Sequence, residues 1–84
     1  MTPDGDPLQA ACRLVAEALN RPEDDIAPES SIHTIPAWDS LGHVRVLLAI
    51  ESAIGRPLSS DAIVTVISVA DIAALLAEEA ASGR

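Results

Sequence analysis

The chain has 84 residues, 49% of them hydrophobic, yet it holds no Phe, no Tyr and a single Trp. Thirteen acids against five arginines and no lysine give a net charge of −8 at pH 7, which disfavours nucleic acid and anionic membrane surfaces, where cationic contacts to phosphate supply the affinity. This length makes one small domain, poorly suited to a rigid deep catalytic cleft, with a core expected from Leu, Ile, Val and Ala.

The acidity suits protein partners with basic patches, attracted by long-range steering, and it equally serves solubility. Cys12 is the only cysteine, so no intramolecular disulfide forms, and its apolar helical setting reads as a small core hydrophobe. The N-terminus Met1-Thr2-Pro3-Asp4-Gly5-Asp6 has neither the cationic start nor the apolar stretch of a signal peptide. No apolar run approaches the roughly 20 residues that cross a bilayer. A cytoplasmic protein is the expectation.

Residues 1–6 read as a frayed lead-in. A first helix is predicted with Asp6 as cap and Pro7 at the first helical position, a favoured pairing. Leu8, Ala11, Cys12, Val15, Ala18 and Leu19 recur at three- and four-residue spacing and form one apolar stripe. Asn20, followed by Arg21-Pro22, ends it. Residues 20–38 then make a long connection holding Pro22, Pro28 and Pro36, and loops of this length in small domains usually serve a purpose. Ile26, Ile32 and Ile35 are expected to pin it to the core, while Glu23-Asp24-Asp25 reads as a solvated acidic turn.

The second helix is predicted from Ser40 to Ile54, capped by Asp39 and closed at Gly55, with Pro57 preventing continuation. Ser60-Asp61 opens a short helical turn carrying Ala62, Ile63 and Val64, although the β-branched content leaves a strand open. Ser68-Val69-Ala70-Asp71 matches a capping box. Its helix carries Val69, Ile72, Ala73, Leu75, Leu76 and Ala80 and fades near Gly83, leaving 82–84 as a frayed end. The fold class expected is all-α: a small four-helix bundle of three main helices and one short one, with a long loop between helices one and two.

Two features single out the second helix. Ser40 falls at its first position, its hydroxyl beside the positive end of the helix dipole, where an attached phosphate is stabilised. The helix also has two apolar lines. Val46, Leu47, Ile50, Ala53 and Ile54 suit the core, whereas Leu41, Val44 and Leu48, at i, i+3 and i+7, lie on another azimuth. That second line is either exposed or borders an internal cavity, and the competing reading is a central helix buried all round. Arg45, Glu51 and Ser52 flank the line with polar groups, as at a recognition patch.

At these residues the sequence resembles acyl carrier proteins, small acidic four-helix proteins that shuttle acyl groups in fatty-acid, polyketide and related pathways. The likeness runs through nearly the whole chain as a single carrier-like domain over 1–84: the apolar first helix, the long loop, Asp39-Ser40-Leu41, Gly55-Arg56-Pro57-Leu58, the short third helix, and Ser68-Val69-Ala70-Asp71-Ile72-Ala73. The resemblance implies a covalent 4′-phosphopantetheine, transferred from coenzyme A to Ser40 by a magnesium-dependent phosphopantetheinyl transferase, with Asp39 as the motif aspartate. The arm's thiol holds acyl groups as thioesters, so the protein is expected to be a monomeric tether and address, not an enzyme. Leu41, Val44, Arg45, Leu48 and Glu51 are the residues expected to meet partners: the transferase, and acyl-loading, acyl-transferring or condensing enzymes with basic docking patches.

The chain departs from the family pattern in places. Ala37 stands where many members have glycine two residues before the aspartate, and Trp38 adjoins the aspartate. Gly42, His43 and Arg45 occupy a region that is acidic in carriers of primary fatty-acid synthesis, which hints at a dedicated partner set in a specialised pathway. Missing glycines upstream favour an acyl-type carrier over an aminoacyl or peptidyl one. Met1 and the frayed ends favour a free-standing protein. The competing readings are an unmodified helical adaptor using Leu41, Val44 and Leu48, and a hydrolase pairing Ser40 with His43. The hydrolase lacks a Gly-x-Ser-x-Gly turn and an oxyanion loop. His43 is expected to face partners or solvent, His33 to be structural or exposed, and no metal-ligand spacing is present.

Overall fold

A computed structural model of the chain describes residues 6–82, with side chains over 6–79. The frayed ends expected at 1–6 and 82–84 fall outside this span, apart from Asp6 and Ser82. Four α-helices make the fold: α1 (Pro7–Leu19), α2 (Ser40–Ile54), α3 (Ser60–Thr65) and α4 (Val69–Ser82), with one 3-10 turn (Glu23–Asp25) in the long loop. This is the expected small helical bundle. The stretch after Ser59 is helical, which closes the strand alternative.

Local chemistry sets the helix ends. Asp6 Oδ1 accepts the Leu8 N–H at 3.1 Å, with Pro7 at the first position. Asn20 closes α1 in the left-handed conformation at φ 58°, its N–H bonded to the carbonyls of Ala16 and Glu17. Gly55 closes α2 in the same region at φ 79°, where a glycine meets no Cβ penalty. Ser59 Oγ caps α3 by accepting from Ala62 N–H at 3.1 Å. At α4, Ser68 Oγ accepts the Asp71 N–H at 3.1 Å, but the return bond differs from a standard capping box: Asp71 Oδ2 takes the N–H of Ile67, one residue earlier.

Helix α1 packs against both α4 and α2. The core joins Ala11, Val15, Ala16 and Leu19 of α1 with Val46 and Ile50 of α2, Val69 and Ile72 of α4, and Ile26 and Val66 from the connections. Burying each aliphatic side chain of Val or Ile size contributes roughly 1.5–3 kcal/mol. Ile32 and Ile35 pack partly buried against this core, so all three loop isoleucines pin the connection. The acidic turn at 23–25 is exposed, and Arg21 pairs with Asp25 at 2.8 Å.

Several expectations change on packing. The lone aromatic belongs to the core: Trp38 is 1% exposed and is the largest fully buried side chain. An aliphatic-only core was therefore the wrong expectation, because the loop folds back and inserts its last apolar residue between the helices. Ala53 is exposed and Leu47 and Ile54 are only partly buried, because α2 meets α4 much less than it meets α1. Cys12 is buried and free, as its pattern implied, and desolvation, followed by the charges of Glu23, Asp6 and Glu29, holds its thiol above the ordinary 9.0.

The loop is also fastened to the far side of the bundle. Ile32 N–H donates to the Ile67 carbonyl at 2.9 Å, and Val69 N–H donates to the Ser30 carbonyl at 3.0 Å. Ser31 and Ser68 thereby form an isolated antiparallel bridge. These bonds tie the segment leading into α2 to the start of α4, so the approach to Ser40 has a defined course.

Candidate functional site

Ser40 is exposed and is the first residue of α2. Asp39 precedes it in an extended conformation, and its Oδ1 accepts the Gly42 N–H at 2.8 Å. The Asp39 carbonyl accepts the His43 N–H at 2.7 Å, the first full turn of the helix. Both expectations for this pair hold: the aspartate caps, and the serine stands at the helix mouth in solvent.

The first turn sits very close to the chain around it. A Cβ at Gly42 would run into the Ala37 carbonyl oxygen and come within 2.9 Å of Leu19 Cδ2. Only hydrogen fits, so Gly42 lets the start of α2 press against the end of α1 and the end of the loop. Sequence reading noted this glycine only as a departure from an acidic pattern; its clash partners are 5 and 23 positions away.

His43 is half-buried, and its Nδ1 accepts the indole N–H of Trp38 at 3.0 Å. The expectation of a partner-facing or solvent-facing histidine is corrected: the buried indole needs an acceptor, and His43 supplies it. The same bond counts against the hydrolase reading, because Nδ1 accepts from an internal donor where a triad histidine would donate to its carboxylate. His33 is exposed.

The second apolar line of α2 lies on the surface. Leu41, Val44 and Leu48 are 61%, 50% and 59% exposed, so the helix is not buried all round. Arg45 beside them is exposed as well. Glu51 differs: it is only partly exposed, and its Oε2 accepts the backbone N–H of Leu58 at 3.0 Å, fastening the α2–α3 connection. Ile63, Val64 and Ile67 are further exposed apolar side chains on and after α3, which the sequence reading did not assign to a surface. Their β-branched run was legible, but its orientation was not.

Other chemistry is thin. Among the described residues there is no group of three or more His, Cys, Asp or Glu that could hold a metal ion, and no helix is long and apolar enough to cross a membrane. A groove of about 560 Å³ between α1, α2 and α4 is lined by Ala10, Leu14, Ala49, Ala53 and Leu76 among others; neither Ser40 nor the exposed line of α2 contributes to it.

A phosphodiester on the Ser40 hydroxyl fits this place. The first N–H groups of a helix have no carbonyl one turn back, and the dipole favours an anion there. Asp39 already caps Gly42, so its carboxylate is engaged in the turn. Neither the curated proteins nor the solved structures give a significant match to the chain. The family model described as Phosphopantetheine attachment site matches residues 9–76, a span that includes all but the first two residues of α1, the long loop, α2, α3 and the first half of α4, and the chain belongs to that family of carriers bearing covalent 4′-phosphopantetheine.

Proposed function

We propose that Ser40 is the attachment residue and that the chain is an acyl carrier, presenting an acyl thioester to the enzymes of a biosynthetic pathway. The observation that carries this reading is an exposed serine at the first position of α2, directly after its capping aspartate, inside the residues matched by the family. In the loading step the Ser40 oxygen forms a new bond to the phosphorus that bears pantetheine in coenzyme A. The bond from that phosphorus to the adenosine bisphosphate breaks, and the hydroxyl proton passes to the transferase. The bound arm supplies a thiol that holds the cargo; the protein supplies position, solubility and recognition.

Leu41, Val44, Arg45 and Leu48 form the docking surface in this reading, and the acidic chain suits enzymes with basic patches. The apolar centre gives contact area and the charges give orientation. Glu51 contributes less directly, since one carboxylate oxygen serves the Leu58 N–H. Cargo from a polyketide, fatty-acid-like or other specialised pathway fits an acyl-type carrier, and an aminoacyl cargo is the alternative. A monomer acting in the cytoplasm completes the proposal.

Intact-mass measurement tests it. Incubation with coenzyme A, magnesium and a broad-specificity phosphopantetheinyl transferase adds one phosphopantetheinyl group to the wild-type chain and none to Ser40→Ala. No gain in the wild type, or the same gain in Ser40→Ala, overturns the assignment and leaves an unmodified adaptor.

A further inference from the structure

Trp38 and His43 bracket Asp39 and Ser40, and their bond has a strict chemical requirement. An indole N–H is a donor only, so the His43 Nδ1 facing it at 3.0 Å must offer a lone pair. The imidazole is then neutral, with its proton on Nε2. The Trp38 ring is 1% exposed, so its N–H has no recourse to water when the acceptor is lost. The indole plane is tilted 30° from the imidazole, with centroids 6.3 Å apart, an edge arrangement set by the hydrogen bond and not by stacking. Trp38 is itself fixed at its backbone, donating its N–H to the Ile35 carbonyl at 2.9 Å.

The first turn of α2 is therefore held at two levels. Asp39 and Gly42 define its backbone locally. His43, one turn into the helix, links that turn to a side chain anchored in the core. Ser40 lies between the two ends of this link, so its bearing relative to the bundle depends on it. Small displacements of a reacting group cost large factors in rate.

We propose that Trp38 and His43 are positioning residues for transfer to Ser40, their hydrogen bond tying the helix start to the core. The proposal rests on Ser40 being the attachment residue. Asp39 on the same turn has its carboxylate engaged by Gly42 N–H, and Arg45 follows on α2. On the loop side, Arg21 and Asp25 pair with each other at 2.8 Å and line one cleft with Ile35, Pro36 and Ala37. Helix α1 reaches the turn through Leu19, which is uncharged.

The single Trp makes the test clean, because one indole N–H signal appears in an amide correlation spectrum. His43→Leu moves the Trp38 indole signal and the Ser40 and Leu41 amide signals together, whereas His43→Asn, which places an oxygen near the position of Nδ1, leaves the indole signal close to its wild-type place. His43→Leu, checked as folded by circular dichroism, lowers kcat/KM for phosphopantetheinyl transfer about tenfold, the effect of one lost hydrogen bond. His43→Asn recovers part of that loss, and in a Trp38→Phe background His43→Leu has no additional effect. His33→Gln serves as the control and leaves both readouts unchanged. An indole signal that stays fixed in His43→Leu overturns the proposal. So does a folded His43→Leu that is loaded as fast as the wild type. A wild type that accepts no group at all overturns the Ser40 assignment instead, and the positioning role falls with it.

Discussion

Gly42 and Ala37 are in such close apposition that the carbonyl of Ala37 occupies the place where a side chain at Gly42 would begin. The contact joins the last residues of the loop to the first turn of the helix that carries Ser40. Replacing the glycine by alanine sets two effects against each other. Alanine is the better helix former by about 1 kcal/mol, while overpacking against a fixed backbone atom costs about 1–3 kcal/mol. Leu19 Cδ2, 2.9 Å from the same point, adds to the cost. Gly42→Ala is therefore destabilised, with a lower urea midpoint. A midpoint at or above that of the wild type would show that the loop end yields easily.

Leu48 offers a test that separates the proposed docking from loading. Its side chain is 59% exposed, and substitutions at such positions usually change stability by no more than about 0.5 kcal/mol. Leu48→Ala keeps the fold and accepts the phosphopantetheinyl group at nearly the wild-type rate. Its transfer of cargo to a downstream enzyme slows severalfold. Equal loss in the loading and transfer assays, with an unchanged circular dichroism spectrum, would argue against an unequally shared outer face.

Glu51 tests the opposite case, a polar residue on the working helix that serves the fold. Glu51→Ala leaves the partly buried Leu58 N–H without its acceptor, at a cost of about 1–3 kcal/mol. Glu51→Gln keeps an oxygen within reach and loses much less. Urea unfolding of the two variants distinguishes them, and identical midpoints would mean that water replaces the carboxylate.

Cys12 gives a pH dependence. Burial, then the neighbouring acids Glu23, Asp6 and Glu29, raise its thiol above the ordinary 9.0, so the folded chain keeps its proton to higher pH than the unfolded chain. The stabilisation is complete below the unfolded value and is lost as pH rises through the folded one. Stability of the wild type thus falls more steeply than that of Cys12→Ala as pH rises through and above 9.0. Native Cys12 also reacts slowly with a thiol reagent until the chain unfolds; rapid stoichiometric labelling of folded protein contradicts its placement.

Much of the site is legible in the residues around it. Asp39 caps and Ser40 begins α2 because a carboxylate two or three residues ahead of free N–H groups satisfies them locally. Gly55 ends the same helix for a reason confined to its own backbone. The spacing of Leu41, Val44 and Leu48 shows that they lie on a different azimuth from Val46 and Ile50, but it leaves open whether that line is exposed, borders a cavity or is buried; the structure places it in solvent.

Periodicity is silent on which residues answer a distant need. Trp38 stands in a loop with no helical neighbours to give it a phase, so its burial depends on the loop returning across the end of α1. His43 reads as one more polar residue on an exposed helix until the indole beside it demands an acceptor. Glu51 reads as a docking charge until the Leu58 N–H arrives seven residues later in the chain. The sequence by itself determined the three main helices, the caps at Asp6, Asp39 and Gly55, and the serine at the start of α2, because these follow from bonds spanning a few residues. Only the tertiary structure decided that Trp38 is buried in the core, that His43 accepts its indole N–H and that Gly42 admits no side chain, because each depends on segments brought together by packing.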